Sequence, residues 1–332
     1  MPVLILCLAA AVILSMMAGR YAISFRELIL LFQERTGGIT SDAIPRMTRT
    51  VFWSSRFPRI LTGLMIGASL SVSGAAYQGI LRNPMVAPDI LGASSGASFG
   101  AAIGILFNFN ASAIQIMAFF FGVGAVALAY SVSNSIKSGD RGGVLMLVLS
   151  GMVVTALFSA GISIVKYIGD PYDTLPALTF WLMGGLEYVS KSDVLTLLIP
   201  VLIGMVPLLL LRWQMNVLCF SDEEAGSMGV NARRTRLIVI LSATLLTSSS
   251  VAVGGMIGWV GLLIPHICRM IVGPDYRRLM PAALVFGALF LILVDDAARC
   301  ISAHEVPLGI LTALIGAPFF LFLLHRSRKS FL

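Results

Sequence analysis

The sequence predicts an all-α polytopic membrane protein with ten transmembrane helices and both termini cytoplasmic. Three observations carry that prediction. Of the 332 residues 58% are hydrophobic and only 12% are charged, whereas soluble domains run about 45–50% apolar and about 25% charged. Mean hydropathy is +0.93. The apolar residues also gather into ten runs that approach the roughly 20 residues a bilayer span requires. A soluble core could not hide this much apolar surface behind so few charges. Disorder and a disulfide-stapled secreted scaffold are excluded on the same grounds, and the chain reads as a single membrane domain, 1–332.

The first run, 3–18, has no basic residues before it and no Ala-x-Ala cleavage site after it. It therefore reads as a span rather than a signal peptide, and the missing basic lead-in suggests a slightly trimmed start. A long outside segment, 19–59, follows. The runs 60–81 and 90–107 carry small residues at every fourth position: Gly63, Gly67 and Ser71 in one, Gly92, Gly96, Gly100 and Gly104 in the other. Such stripes let helix backbones approach closely in lipid, so they read as packing surfaces. The runs 111–136 and 143–168 come next. In the latter, Gly151, Thr155, Ser159 and Ser163 form a stripe of small or hydroxyl residues in an otherwise apolar helix, suited equally to packing or to lining a pathway. The remaining runs are 194–211, 236–254, 256–272, 279–294 and 306–324.

Loop charge sets the orientation. With both termini inside, 13 Lys and Arg fall inside, and seven of the ten outside lie in segment 19–59 alone. The other outside loops hold only three, which is the positive-inside pattern. The same rule accounts for the pI near 9.5, so no nucleic-acid partner is expected. Cys7, Cys219, Cys268 and Cys300 stand far apart with no CxxC pair, so neither a disulfide nor a metal site is expected.

Energy conversion leaves signatures that this chain lacks. Ion-coupled transporters carry ionisable groups in mid-membrane, where they are costly and functional. Here the acids and bases fall near span ends or in loops, with Lys166, Asp295 and Asp296 coming nearest to exceptions. A phosphate loop needs Gly-Lys-Ser/Thr, and none of Lys137, Lys166, Lys191 and Lys329 follows a glycine. There is no HExxH motif, and His266, His304 and His325 are scattered. No catalytic constellation is expected.

The inside loop 212–236 is more informative. Ser221 and Glu224 form a capping box that should start a short helix at Asp222. Asp222, Glu223 and Glu224 complement its positive N-terminus, Ala225 falls within it, and Gly229 supplies a C-terminal stop. The product is a short capped helix on the cytoplasmic face, suited to receiving force from a partner.

Five stretches then carry a family resemblance: RFPRILTGLMIGASLSVSGAAYQGILRNPMVAPDILGASSGA (56–97), FWLMGGL (180–186), MNVLCFSDEEAGSMGV (215–230), GMIGWVGLLIPHICRMIVGPDYRRLMP (255–281), and VDDAAR with VPLGILTALIGAPFFLFLL (294–299, 306–324). The chain resembles the FecCD-type permeases, membrane subunits of type II ABC importers for iron-siderophores, haem and cobalamin. The resemblance implies a BtuC-like permease fold in the inner membrane and a homodimer with the pathway on its two-fold axis. It also implies two separate ATPase subunits that bind ATP and Mg, with no cofactor in this chain, and an extracytoplasmic substrate-binding protein. It matches Arg56, Arg59 and Arg299 to basic positions that meet acidic residues of the binding protein. It assigns loop 212–236 to ATPase coupling, the span 143–168 to the axis, and Gly142, Gly143 and Val144 to an inner gate. At that gate this chain has GGV where the cobalamin relative is Ser/Thr-rich. Iron-siderophore is the first substrate expected, with haem, cobalamin or a molybdate-type oxyanion as alternatives and an ion-coupled secondary transporter as the competing class.

Overall fold

The computed structural model describes residues 1–19, 21–37, 44–136, 143–302 and 304–328. Among these the chain is helical, without strands. In order come α1 (Pro2–Met17), α2 (Phe25–Arg35) and α3 (Arg46–Thr50), then a π-helical turn (Val51–Arg56) that leads unbroken into α4 (Phe57–Ile80). Next are α5 (Ala93–Leu106), α6 (Ala111–Ser135), α7 (Gly143–Ile168), α8 (Thr174–Met183) and α9 (Lys191–Leu210). The chain closes with α10 (Arg212–Val217), α11 (Asp222–Ser227), α12 (Ala232–Gly254), α13 (Val260–Val272), α14 (Tyr276–Cys300) and α15 (Leu308–Arg328). Each of the ten apolar runs coincides with a helix, and among the described residues six helices are long and apolar enough to cross a bilayer by length and composition.

Two runs are shorter as helices than as sequence. α5 has 14 residues and α13 has 13, about 20 Å each at 1.5 Å per residue, short of a roughly 30 Å hydrocarbon core. Residues 255–259 leave α12 without helical structure, and Trp259 takes a left-handed φ of 68° before α13 begins. Residues 81–92 likewise fold back before α5 starts.

α4 is the central element. In its most apolar stretch 83% of residues are buried, against 22% for α7, so α7 keeps a largely unpartnered face. The glycine stripes explain how α4 is enclosed. A Cβ on Gly67 would strike the Gly287 backbone of α14, and one on Gly74 would strike Gly261 of α13. In α5, a Cβ on Gly96 would lie 2.5 Å from the Phe121 carbonyl and one on Gly100 2.6 Å from that of Met117. These stripes are the contact seams of α4 with α13 and α14, and of α5 with α6.

The long segment 19–59 is folded rather than extended. Ser24 and Glu27 form a capping box that starts α2. Ile23, Leu28, Leu31, Ile44 and Phe52 then bury against one another, and Phe32, Phe52, Trp53 and Phe57 pack mainly edge-on with centroids 4.9–6.1 Å apart. α8, which the apolar runs did not single out, lies between α7 and α9.

The helix ends that meet around Arg59 form the face expected to be outer: the ends of α1 and α14 and the starts of α4 and α15. Loop 212–236 marks the opposite face, expected to be inner.

Candidate functional site

Loop 212–236 folds as its residues require. The Glu224 backbone N–H donates to Ser221 Oγ at 3.2 Å, and the Ser221 N–H returns to Glu224 Oε2 at 2.8 Å. The Ser221 hydroxyl also donates to Glu224 Oε2 at 2.8 Å, and the two donations from Ser221, by its N–H and its hydroxyl, hold the Glu224 carboxyl below its ordinary value. At the other end Gly229 is left-handed with φ 78°. Its N–H donates to the Gly226 carbonyl and that of Val230 to the Ala225 carbonyl, both at 2.9 Å, the paired bonds of a Schellman stop. Ala225 is fully buried with Val217, Leu218, Val230 and Ala232, while Glu223 stays exposed. α11 is therefore a rigid, six-residue ridge on its own small core.

Arginines from neighbouring helices fasten that ridge. Arg236, at the start of α12, reaches Asp222 with Nη2 at 2.9 Å and Nη1 at 3.3 Å. Arg82, just past α4, donates from Nε to the Leu218 carbonyl at 3.0 Å and from Nη2 to the Phe220 carbonyl. Its Nη2 also lies 3.6 Å from Asp222 Oδ1.

The α7 stripe divides. Gly151 is buried beneath Ile90 and Leu91, and a Cβ on Gly92 would lie 3.3 Å from Thr155 Oγ1. Ser159 and Ser163 are exposed, Ser163 Oγ donating to the Ser159 carbonyl at 3.0 Å. Half of the stripe thus seats loop 81–92, and half faces open space. Thr155 stands about 18 Å along α7 from its start at 1.5 Å per residue, so loop 81–92 reaches deep between the helices. The loop's acid, Asp89, is exposed one residue before the stretch that meets α7. Gly143 opens α7 and is exposed, Val144 is half-buried, and Gly142 lies outside the described residues.

The three outer arginines are sunk below the surface, with 5–7% of each residue exposed. Arg59 donates to Asp295 from Nε at 3.0 Å and from Nη2 at 2.8 Å, while its Nη1 meets Glu305 at 2.7 Å. Arg299 pairs with Asp295 at 3.1 Å and with Asp296, and it donates to Ser15 Oγ at 2.8 Å. Arg56 donates to the carbonyls of Met16 and Met17 at 2.7 and 3.0 Å, and to that of Tyr21. Together they join α1, α4, α14 and the approach to α15. The carboxylate partners were visible only in part beforehand: Asp295 and Asp296 stand four and three residues before Arg299, the spacing of helical ion pairs. Glu305 and Ser15 gave no such signal.

Beside this network a cavity of about 720 Å³ opens among the starts of α6 and α9, α8, the end of α12 and the start of α15. Arg59, Gln115, Trp181, Glu187, Asp193 and Glu305 are among its lining residues. Gln115 Nε2 donates to Asp193 Oδ1 at 2.8 Å.

Residues 7–326 match the FecCD transport family. The molybdate import system permease protein MolB of Haemophilus influenzae is 38% identical over 98% of this chain and 95% of its own length. The iron(3+)-hydroxamate import system permease protein FhuB of Bacillus subtilis is 37% identical over 83% of this chain and 71% of its own. Cobalamin and hemin permeases fall at similar identities. An inward-facing structure of a metal-chelate type ABC transporter superposes with TM-score 0.85 at 38% identity, covering 97% of both chains.

Proposed function

Because the chain belongs to the FecCD transport family, and so is a multi-pass permease subunit of an ABC importer, we propose that it moves a metal chelate, an iron-siderophore first, through an axis shared by two copies in the inner membrane. In this proposal both termini are cytoplasmic, and two separate ATPase chains, which hold ATP and Mg, press on α11. The exposed face of α7 with Ser159 and Ser163 lines the pathway, Gly142 to Val144 stand at its inner mouth, and the 720 Å³ cavity is its outer vestibule. A binding protein docks over the outer face. Arg59 takes part through its bond to the half-buried Glu305, while Arg56 and Arg299 hold the platform beneath it.

The observation that carries this proposal is the coupling ridge. A capped helix with its acidic start clamped by Arg82 and Arg236 suits a surface that must receive force without deforming. Relatives named for molybdate, iron hydroxamate, hemin and cobalamin keep all four substrate classes in the test. The chain is reconstituted in vesicles with its ATPase and binding protein, and uptake of a ferric hydroxamate, haem, cobalamin and molybdate is compared. ATP-dependent uptake of the ferric hydroxamate, absent without the ATPase chain, is the expected result. Uptake driven by a proton gradient with no ATPase present would overturn it.

A further inference from the structure

Force delivered to α11 has to reach α7, and the two helices are not neighbours. The only covalent continuity between them is the chain from 168 to 222, which passes through the outer face. A shorter route runs through loop 81–92. At one end of this loop stands Arg82, whose φ of 48° is left-handed, a conformation that is unfavourable for a residue with a Cβ. A glycine would turn the chain there without that cost. What arginine adds is its side chain, which grips the carbonyls of Leu218 and Phe220 and lies beside Asp222. One guanidinium therefore fastens the whole passage from α10 into α11.

The rest of the loop is braced. Gln78 Nε2 donates to the Val86 carbonyl at 3.1 Å and to that of Gly261 at 3.4 Å. The Asn83 side chain accepts from the Met85 N–H at 2.9 Å. Pro88 packs on Gly261 of α13. At the far end the Ile90 carbonyl and Leu91 sit on Gly151 of α7, and Gly92 sits on Thr155. Eleven residues, 82–92, thus form a short stiff arm, gripping the coupling ridge at Arg82 and bearing on the middle of α7 at Ile90–Gly92.

We infer that Arg82 is the positioning residue through which α11 drives α7: the loop it heads is a strut that converts displacement of the coupling ridge into displacement of the pathway helix. This inference rests on the importer function proposed above. Asp222 is shared between Arg82 and Arg236, so the ridge is tied to α4 and to α12 at once. Loss of Arg82 frees the α7 side of that tie while leaving α11 capped and bound to α12.

The test uses Arg82→Gly, which relieves the backbone and deletes the grip, alongside Arg82→Lys, which keeps the charge. Each is reconstituted with the ATPase and binding protein, and ATP hydrolysis is measured with uptake of whichever cargo the unmodified complex accumulates among ferric hydroxamate, haem, cobalamin and molybdate. For Arg82→Gly, hydrolysis should persist while uptake per ATP falls at least about fivefold, the lower end of measured site-to-site couplings. Arg82→Lys should recover part of it. Spin labels at Met85 and Met228, in a background lacking the exposed native cysteines, should move together on ATP binding in the unmodified complex and independently in Arg82→Gly. Unchanged uptake per ATP in Arg82→Gly, or uptake and hydrolysis falling in parallel, would overturn the strut. Absence of ATP-dependent uptake by the unmodified complex would instead overturn the importer function itself.

Discussion

At the outer end Arg59 and Arg299 expose 7% of their side chains and meet Asp295, which exposes 1%. At the inner end Arg82 and Arg236 expose 41% and 21% and meet Asp222, which exposes 31%. The chemistry is the same, a guanidinium fork on a carboxylate, but the depth differs. At the outer end the shared Asp295 is almost wholly enclosed, so removing it leaves two sunken guanidiniums with one carboxylate each, and the network behaves as a fixed rivet between α1, α4 and α14. Inside, water substitutes for a lost partner at small cost. That makes the inner clamp a light tie that travels with the ridge it holds, and the outer one a fixed anchor.

The largest expected effect breaks the outer rivet. Asp295→Ala removes the carboxylate that Arg59 and Arg299 share, leaving them Glu305 and Asp296, and should cost up to about 3–5 kcal/mol, the range for a buried pair broken on one side, read as a lower unfolding midpoint of the purified protein in detergent. A midpoint close to that of the unmodified protein would show that water enters the network freely, and the contrast between the two ends would vanish. Asp222→Ala should cost no more than about 1 kcal/mol, as exposed pairs do, yet uptake per ATP should fall. Equal destabilisation by Asp222→Ala and Asp295→Ala would show the two ends to be energetically alike.

The smallest effect is a titration. Glu224 is held below its ordinary value by Ser221, so the stability it gives α11 is complete above the unfolded value and disappears as pH falls through the lower folded one. Glu27 is shifted the same way by the Ser24 hydroxyl and N–H, so α2 provides an internal comparison. In hydrogen exchange, relative to the intrinsic rate, which itself falls with pH, the protection of amides in α11 and α2 should drop together on acidification, while that in α14 around Asp295 persists. Protection in α11 that ignores pH over that range would remove the cap from the account of the inner clamp.

Much of this architecture was legible in the sequence because it depends on local spacing. The apolar runs placed ten helices, since a bilayer demands continuous apolar length. Ser221, Glu224 and Gly229 placed α11 and both its ends, since caps act over three or four residues. The four-residue glycine repeats foretold where backbones would touch, though not that Gly67 would find Gly287 or Gly74 would find Gly261.

What only the tertiary structure decided involves partners distant in sequence or residues whose depth depends on packing. Arg56, Arg59 and Arg299 read as surface charges because they stand at span ends. Their burial follows from the end of α1 and Tyr21 closing on Arg56 and Arg299, and from Asp295, 236 positions away, closing on Arg59. Loop 81–92 read as an inside turn, because nothing in its composition records that it climbs along α7 and carries Asp89 with it. The stripe Gly151, Thr155, Ser159, Ser163 is one pattern in sequence and two surfaces in space, seating Gly92 at one end and open at the other. Arg82 carries no sequence signal beyond one positive charge in a short loop, since its grip on residues 218–222 joins two segments more than 130 positions apart. Local spacing determined where helices begin, end and can touch. Which charges sink, which pair and which carry force was settled by the packing of helices that no short-range pattern encodes.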